Sequence, residues 1–180
     1  VCMPIIMIVS AFAALVSSGG APRASIYMGK RDNQSAEQIL GNCFVLQIAV
    51  SFILTAVLLI WSEDILLAFG ASENTISYAV DYMHIYAIGT LFVQLTLGMN
   101  AFITAQGFTT TSMVSVLIGA ICNITLDPIF IFGFHMGVKG AALATVLSQA
   151  VSTIWVIFFL CGKKTQLHLR KKYMHLESKV

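Results

Sequence analysis

Charge is what this sequence has least of. Of its 180 residues only 10% are Asp, Glu, Lys or Arg, while 58% are hydrophobic, and the mean hydropathy is +0.87. A soluble domain carries about 25% charged and about 45–50% apolar residues, so a water-soluble fold is excluded. Prolines number only 3, which leaves long helices few interruptions. The cysteines Cys2, Cys43, Cys122 and Cys161 lie in or beside apolar runs at irregular spacing, with no CxxC pair. That excludes a disulfide framework and leaves them as small buried hydrophobes. No Walker motif, HExxH, GxSxG or metal-ligand cluster appears, so enzyme chemistry has no support. The net charge of +2 carries no message about nucleic acid, because in a membrane chain the meaning of each charge depends on where it lies. No charged n-region or small-residue cleavage site precedes the first apolar run, which argues against a signal peptide. Val1 falls in mid-pattern, and the chain is expected to be a piece of a longer one.

What the sequence has in abundance is long apolar runs. Hydropathy predicts five spans: Met3 to Met28, Gln38 to Trp61, Thr75 to Thr104, Ser112 to Phe132 and Val138 to Leu160. The connections between them are short, so neighbours are antiparallel and the fold class is all-α, a polytopic transmembrane helical bundle. Between Ser62 and Asn74, Ile65, Leu66, Leu67 and Phe69 stand among charges, the pattern of a short interfacial turn. Arg23, Lys30 and Arg31 share one side of the membrane with Lys163, Lys164, Arg170, Lys171, Lys172 and Lys179. Lys139 lies on the other side with Glu63, Asp64 and Glu73. The positive-inside rule makes the basic side cytoplasmic. Residues 1–161 then form the transmembrane part, and residues 162–180 a basic cytoplasmic linker or tail.

Against this background Asn123 and Asp127 stand out. They sit in Met113 to Phe132, a stretch otherwise apolar enough to span a bilayer. A carboxylate there costs roughly 2.5–3.5 kcal/mol on insertion scales, which marks it as functional by default. A spacing of four places the amide one turn from the acid on the same face. Pro128 removes a backbone donor and bends the helix beside the acid. Three roles are open to Asp127: an ion or proton site, a helix-packing polar group, or an acid reaching the outer interface. Ala141, Thr145, Ser148 and Ser152 form a small polar stripe on the fifth span, suited to close packing, with Thr145 able to complete the hydrogen bonding of Asp127. Tyr78, Tyr82 and Tyr86 stripe the third span beside Asp81 and His84, and the deeper phenols of Tyr82 and Tyr86 need partners. His84 suits a hydrogen-bonded packing role, with proton relay as the alternative. Gln47, Ser51 and Thr55 give the second span an inward polar face. Gly19-Gly20-Ala-Pro-Arg-Ala-Ser25 permits close backbone approach.

Asn123-Ile-Thr-Leu-Asp127-Pro128-Ile-Phe-Ile-Phe-Gly133, followed by Gly137-Val-Lys-Gly-Ala-Ala-Leu-Ala-Thr145-Val-Leu-Ser-Gln149, resembles the fifth and sixth helices of a MATE (multidrug and toxic compound extrusion) transporter. Gly19 to Ser25 with Gly29 is similar to the end of that family's second helix. Tyr82-Met-His-Ile85 resembles a fourth-helix pattern in which His84 replaces the usual arginine. The resemblance covers essentially the whole chain and is closest to the bacterial multidrug branch. It implies a twelve-helix, cation-coupled antiporter of two six-helix lobes, exporting drugs or other organic cations across the cytoplasmic membrane. This chain would be helices two to six of the amino-terminal lobe, lacking the first helix and the second lobe. The resemblance further implies that Asn123, Asp127, Thr145 and Tyr82 hold the coupling proton or sodium, with no cofactor. Tyr86 and Met113 are expected in the substrate cavity: tyrosine rings face cations and methionine adapts to varied shapes. The implied partners are small organic cations, the bilayer and the missing segments, not nucleic acid. Two alternatives are a lipid or lipid-linked oligosaccharide flippase and a non-transporting membrane scaffold. A flippase favours cavity cations that grip a pyrophosphate, and these spans offer almost none.

Overall fold

The computed structural model describes residues 2–174. The chain forms α1 (Met3–Gly29), α2 (Asn33–Ile60), the short α3 (Ser62–Ala68), α4 (Ile76–Ala105), α5 (Thr109–Pro128), a π-helical continuation of α5 (Ile129–Gly133) and α6 (Val138–Cys161). A single 3-10 turn, Lys171–Tyr173, follows. Among the described residues there is no strand. Five of the helices are apolar enough to cross a membrane, and the shortest has 24 residues. At 1.5 Å per residue that is about 36 Å, against a hydrocarbon core of about 30 Å. The chain is a multi-pass membrane protein.

Consecutive spans run antiparallel, so the bundle has two unlike ends. The basic end gathers Lys30, Arg31, Lys163 and Lys164; the acidic end gathers Glu63, Asp64, Glu73 and Asp81, with Lys139. Local chemistry sets the turns. Gly107 (φ 89°) closes α4: the Phe108 N–H donates to the Ile103 carbonyl and the Gly107 N–H to the Thr104 carbonyl, a left-handed glycine cap. The Asp32 carboxylate accepts from the Ser35 N–H (3.1 Å) and the Ser35 hydroxyl (2.6 Å), capping α2.

The central helix is α4, which touches α1, α2, α3, α5 and α6. Of its most apolar stretch 67% is buried, against 11–33% for the other spans. Its glycines allow this: a Cβ on Gly89 would overlap Val146 of α6, and one on Gly98 would overlap the Gln47 amide of α2. Two buried glutamines tie α1 in place. Gln47 donates to the Ala13 carbonyl (3.1 Å) and Gln94 to the Val9 carbonyl (2.7 Å). One apolar cluster fills the basic end around Phe102, Leu40 and Leu160. Another fills the acidic end around Ile5, Met83 and Leu66. Many large apolar side chains point outward, Phe158 (75%) and Ile124 (71%) among them, as a bilayer-facing surface requires.

The structure departs from the sequence reading in several places. Helix α2 starts at Asn33 rather than near Gln38, because the Asp32 cap nucleates a polar first turn that hydropathy does not see. Glu37, read as part of a loop, is therefore helical and only 7% exposed. Helix α5 likewise starts at Thr109 rather than Ser112. The cysteines are not uniformly buried: Cys2, Cys43 and Cys122 are half-buried and Cys161 is exposed.

The largest departure follows α6. Residues 163–174 do not leave the bundle but fold back across its basic end as a strap. Gln106 Oε1 accepts from the Thr165 hydroxyl (2.7 Å) and from the Gln166 and Leu167 N–H groups (2.9 Å each). Leu167 is fully buried. Glu37 Oε1 accepts from the His168 N–H (3.1 Å), and Glu37 Oε2 lies 3.3 Å from Arg170 Nε. Lys179 of the basic cluster lies outside the described residues.

Candidate functional site

Helices α5 and α6 meet through small residues. Gly119 faces Ser148 and Ser152, and the Ser152 hydroxyl donates to the Ser115 carbonyl at 2.6 Å. At the acidic end Gly140 sits so close to the π-helical segment that a Cβ would come within 2.8 Å of the Phe130 carbonyl carbon. The π turn is the local answer to Pro128. The helix passes into it directly after Pro128, and the Phe134 N–H donates to the Ile129 carbonyl, five residues back.

This packing brings Asn123, Asp127 and Thr145 together. The Asn123 amide donates to Asp127 Oδ1 (3.5 Å) and to the Thr145 hydroxyl oxygen (3.4 Å), while the Thr145 hydroxyl donates to the Ala141 carbonyl (3.0 Å). All three side chains are half-buried. The two contacts of the amide are long for hydrogen bonds, whose usual N···O distance is about 2.9–3.0 Å. The carboxylate thus stands inside the span with one weak donor from the side chains around it. Tyr82 approaches the cluster from α4, its phenol beside Thr145.

Asn123 and Thr145 line a groove of about 260 Å³ between α4, α5 and α6. Its walls continue toward the basic end through Thr96, Asn100, Ser148 and Gln149. Asn100 Oδ1 accepts from the Ser115 hydroxyl at 3.0 Å, and Thr96 and Thr153 share a 2.7 Å hydrogen bond. The Gln149 Oε1 is buried with no hydrogen-bond partner among the described residues. Sequence reasoning missed this half of the groove. The available signal was Thr96 and Asn100, a polar pair at the same spacing of four as Asn123 and Asp127, inside an apolar span.

Tyr86 and Met113, expected in the substrate cavity, do not line this groove. Tyr86 is 2% exposed, packed in the acidic-end core and stacked on Tyr82 with ring centres 6.2 Å apart. A stripe at helical spacing does not distinguish a wall facing a cavity from one facing a core, and here the deeper ring faces the core. Met113 is 56% exposed on the second turn of α5, about 21 Å along the helix from Asp127. His84 is exposed, with its Nε2 3.1 Å from the Ser62 hydroxyl at the start of α3.

Comparison with known proteins decides the family. A family model described as MatE matches residues 1–129. The chain belongs to the MatE family. Among curated relatives, the multidrug export protein MepA of Staphylococcus haemolyticus (strain JCSC1435) is 30% identical over 171 residues, 95% of this chain and 38% of that protein. MepA of Staphylococcus aureus (strain NCTC 8325 / PS 47) is 30% identical over 159 residues, 88% of this chain and 35% of that protein. Among solved structures, the inward-facing conformation of a multidrug resistance MATE family transporter superposes with a TM-score of 0.93 at 23% identity, covering 99% of this chain and 41% of that one. An outward-facing conformation gives 0.90 at 24% identity, covering 98% and 40%. Those likenesses establish the MatE fold. The chain spans about two fifths of the length of these relatives. The curated relatives are described as export proteins and the solved ones as transporters.

Proposed function

We propose that this chain is the amino-terminal part of a cation-coupled antiporter that exports drugs or other organic cations across the cytoplasmic membrane. The observation that carries the reading is the single carboxylate of Asp127, held inside a span by one long contact to Asn123 beside Thr145. A carboxylate so weakly partnered in an apolar layer calls for a cation or a proton. Carbonyl, hydroxyl and carboxylate oxygens of Asn123, Thr145 and Asp127 suit a hard cation such as sodium, and protonation neutralises the acid equally well. Tyr82 closes the side facing α4. Loading of the ion and departure of an organic cation then alternate at one negative charge, and the groove lined by Asn100 and Gln149 supplies room beside it. A preceding helix and a second lobe complete the transporter. The basic end faces the cytoplasm, as its lysines and arginines direct.

In the full-length protein, Asp127→Asn should abolish proton- or sodium-driven efflux of cationic dyes while membrane insertion and helical content stay unchanged. Undiminished efflux would overturn the assignment of Asp127 and favour a scaffold. Orientation is read separately by labelling Ala68→Cys and Lys164→Cys in intact cells with an impermeant maleimide. Only position 68 should react; labelling at 164 reverses the orientation.

A further inference from the structure

A second cavity, of about 430 Å³, lies at the basic end between the first turn of α5 and the last turns of α6. Trp155, Phe158 and Phe159 form its wall, Thr111 its far side, and Lys163 and Lys164 its rim. Phe158 is 75% exposed and Trp155 38%. Among the described residues neither lysine forms an ion pair. Nor do they swing on a free tail. Gly162 ends α6 with its N–H on the Phe159 carbonyl, and Thr165, 4% exposed, is fixed to Gln106. The two lysines are therefore held between two anchored points, directly above an aromatic wall.

We propose that this groove binds an anionic phospholipid of the bilayer, its phosphate between Lys163 and Lys164 and an acyl chain against Trp155 and Phe158. The occupant's chemistry follows from the wall. A soluble anion or an acidic peptide needs hydrogen-bond partners along its length, and Thr111 is the polar side chain the wall offers. An amphiphile with one anionic end matches both parts, and the site lies at the level where a span meets the headgroups. The proposal does not rest on the transport reading.

The test uses Trp155 as its own reporter. The chain has two tryptophans, so Trp61→Phe leaves Trp155 alone in the described part, and a full-length protein needs its further tryptophans replaced likewise. The protein is placed in phosphatidylcholine vesicles containing a minor share of phosphatidylglycerol, with bromine on the acyl chains of one lipid or the other. Brominated phosphatidylglycerol should quench Trp155 as though enriched about 10- to 30-fold over its mole fraction, the effect of two lysines near an anionic headgroup. Lys163→Gln with Lys164→Gln should bring it back to its mole fraction, with helical content unchanged. Equal quenching by both lipids overturns the proposal, as does a preference that survives the double substitution. Quenching by neither lipid also overturns it, since the groove would then be covered by protein.

Discussion

Two polar centres sit at opposite halves of this bundle, and they are built in opposite ways. At the basic end Gln106 accepts three hydrogen bonds of 2.7–2.9 Å from residues 165–167, and Glu37 takes a backbone N–H and an arginine. In the α5–α6 site Asn123 makes two contacts of 3.4–3.5 Å, and Asp127 receives one of them. The first centre uses its acceptors on its own chain, and it is where the strap is held. The second leaves most of its acceptors uncommitted, and a half-buried oxygen without a firm internal partner is available to something that arrives. At the first centre the buried atom left without a partner is a donor, the Gln106 Nε2; at the second it is the carboxylate acceptors that stand open.

The largest stability loss should come from Gln106→Leu. It leaves the Gln166 and Leu167 N–H groups without their acceptor, at about 1–3 kcal/mol for each group that stays buried, while the Thr165 hydroxyl keeps the Leu167 carbonyl at 2.9 Å. A total of about 3 kcal/mol should appear as a lower melting temperature in detergent. Limited trypsin should then cut at Arg170 or Lys171, which the strap otherwise protects. Unchanged melting and proteolysis would remove the distinction between the two centres. Glu37→Gln should cost less, about 1 kcal/mol. It keeps the shape, and the freed partners His168 and Arg170 remain open to water, at 35% and 60% side-chain exposure.

Asn123→Leu sharpens the contrast from the other side. Its bonds are too long to hold the fold, so melting should shift by no more than about 0.5 kcal/mol. Ion-driven efflux by the full-length protein should nevertheless fall at least tenfold. A large melting shift with intact efflux would make Asn123 a packing residue.

The smallest effect concerns Asp32, whose carboxyl is held below the usual carboxylate range first by the Ser35 hydroxyl and then by the Ser35 N–H. A depressed folded-state pKa gives stability that is complete above the unfolded value of about 3.9 and is lost as pH falls through the folded value. The Asp32→Asn variant should therefore match the parent in acid and fall slightly behind it near neutrality. A gap that widens toward low pH would contradict the cap.

The five spans were legible because burying apolar residues in lipid needs long uninterrupted runs, and those runs are visible one residue at a time. Asp127 was legible for the converse reason: an acid inside such a run is too costly to be incidental. Ser115 and Gln149 were not, since amides and hydroxyls are inexpensive enough in a span to occur for packing alone; only the spacing of Thr96 and Asn100 gave a sign of them. The strap was hidden by its own composition. Lys163, Lys164, Arg170, Lys171 and Lys172 read as a basic linker or tail, while its anchors are the isolated Thr165, Leu167 and His168, without periodicity, whose acceptors lie 59, 61 and 131 positions back in sequence. The start of α2 was misplaced because an aspartate cap leaves no trace in hydropathy.

The strap also changes how far the chain can reach. Residues 163–174, if extended, would span about 40 Å at roughly 3.3 Å per residue. Pinned as they are, their course is set by α6 at one end, Gln106 of α4 between, and Glu37 and Gly41 of α2 at the other. The described part ends not at the foot of α6 but beside α2, where the Tyr173 carbonyl lies so close to Gly41 that a methyl group on Gly41 would collide with it. A shift of α2 relative to α6 would therefore have to be taken up within residues 163–172 themselves, which are tied at Gln106 and Glu37 on the way.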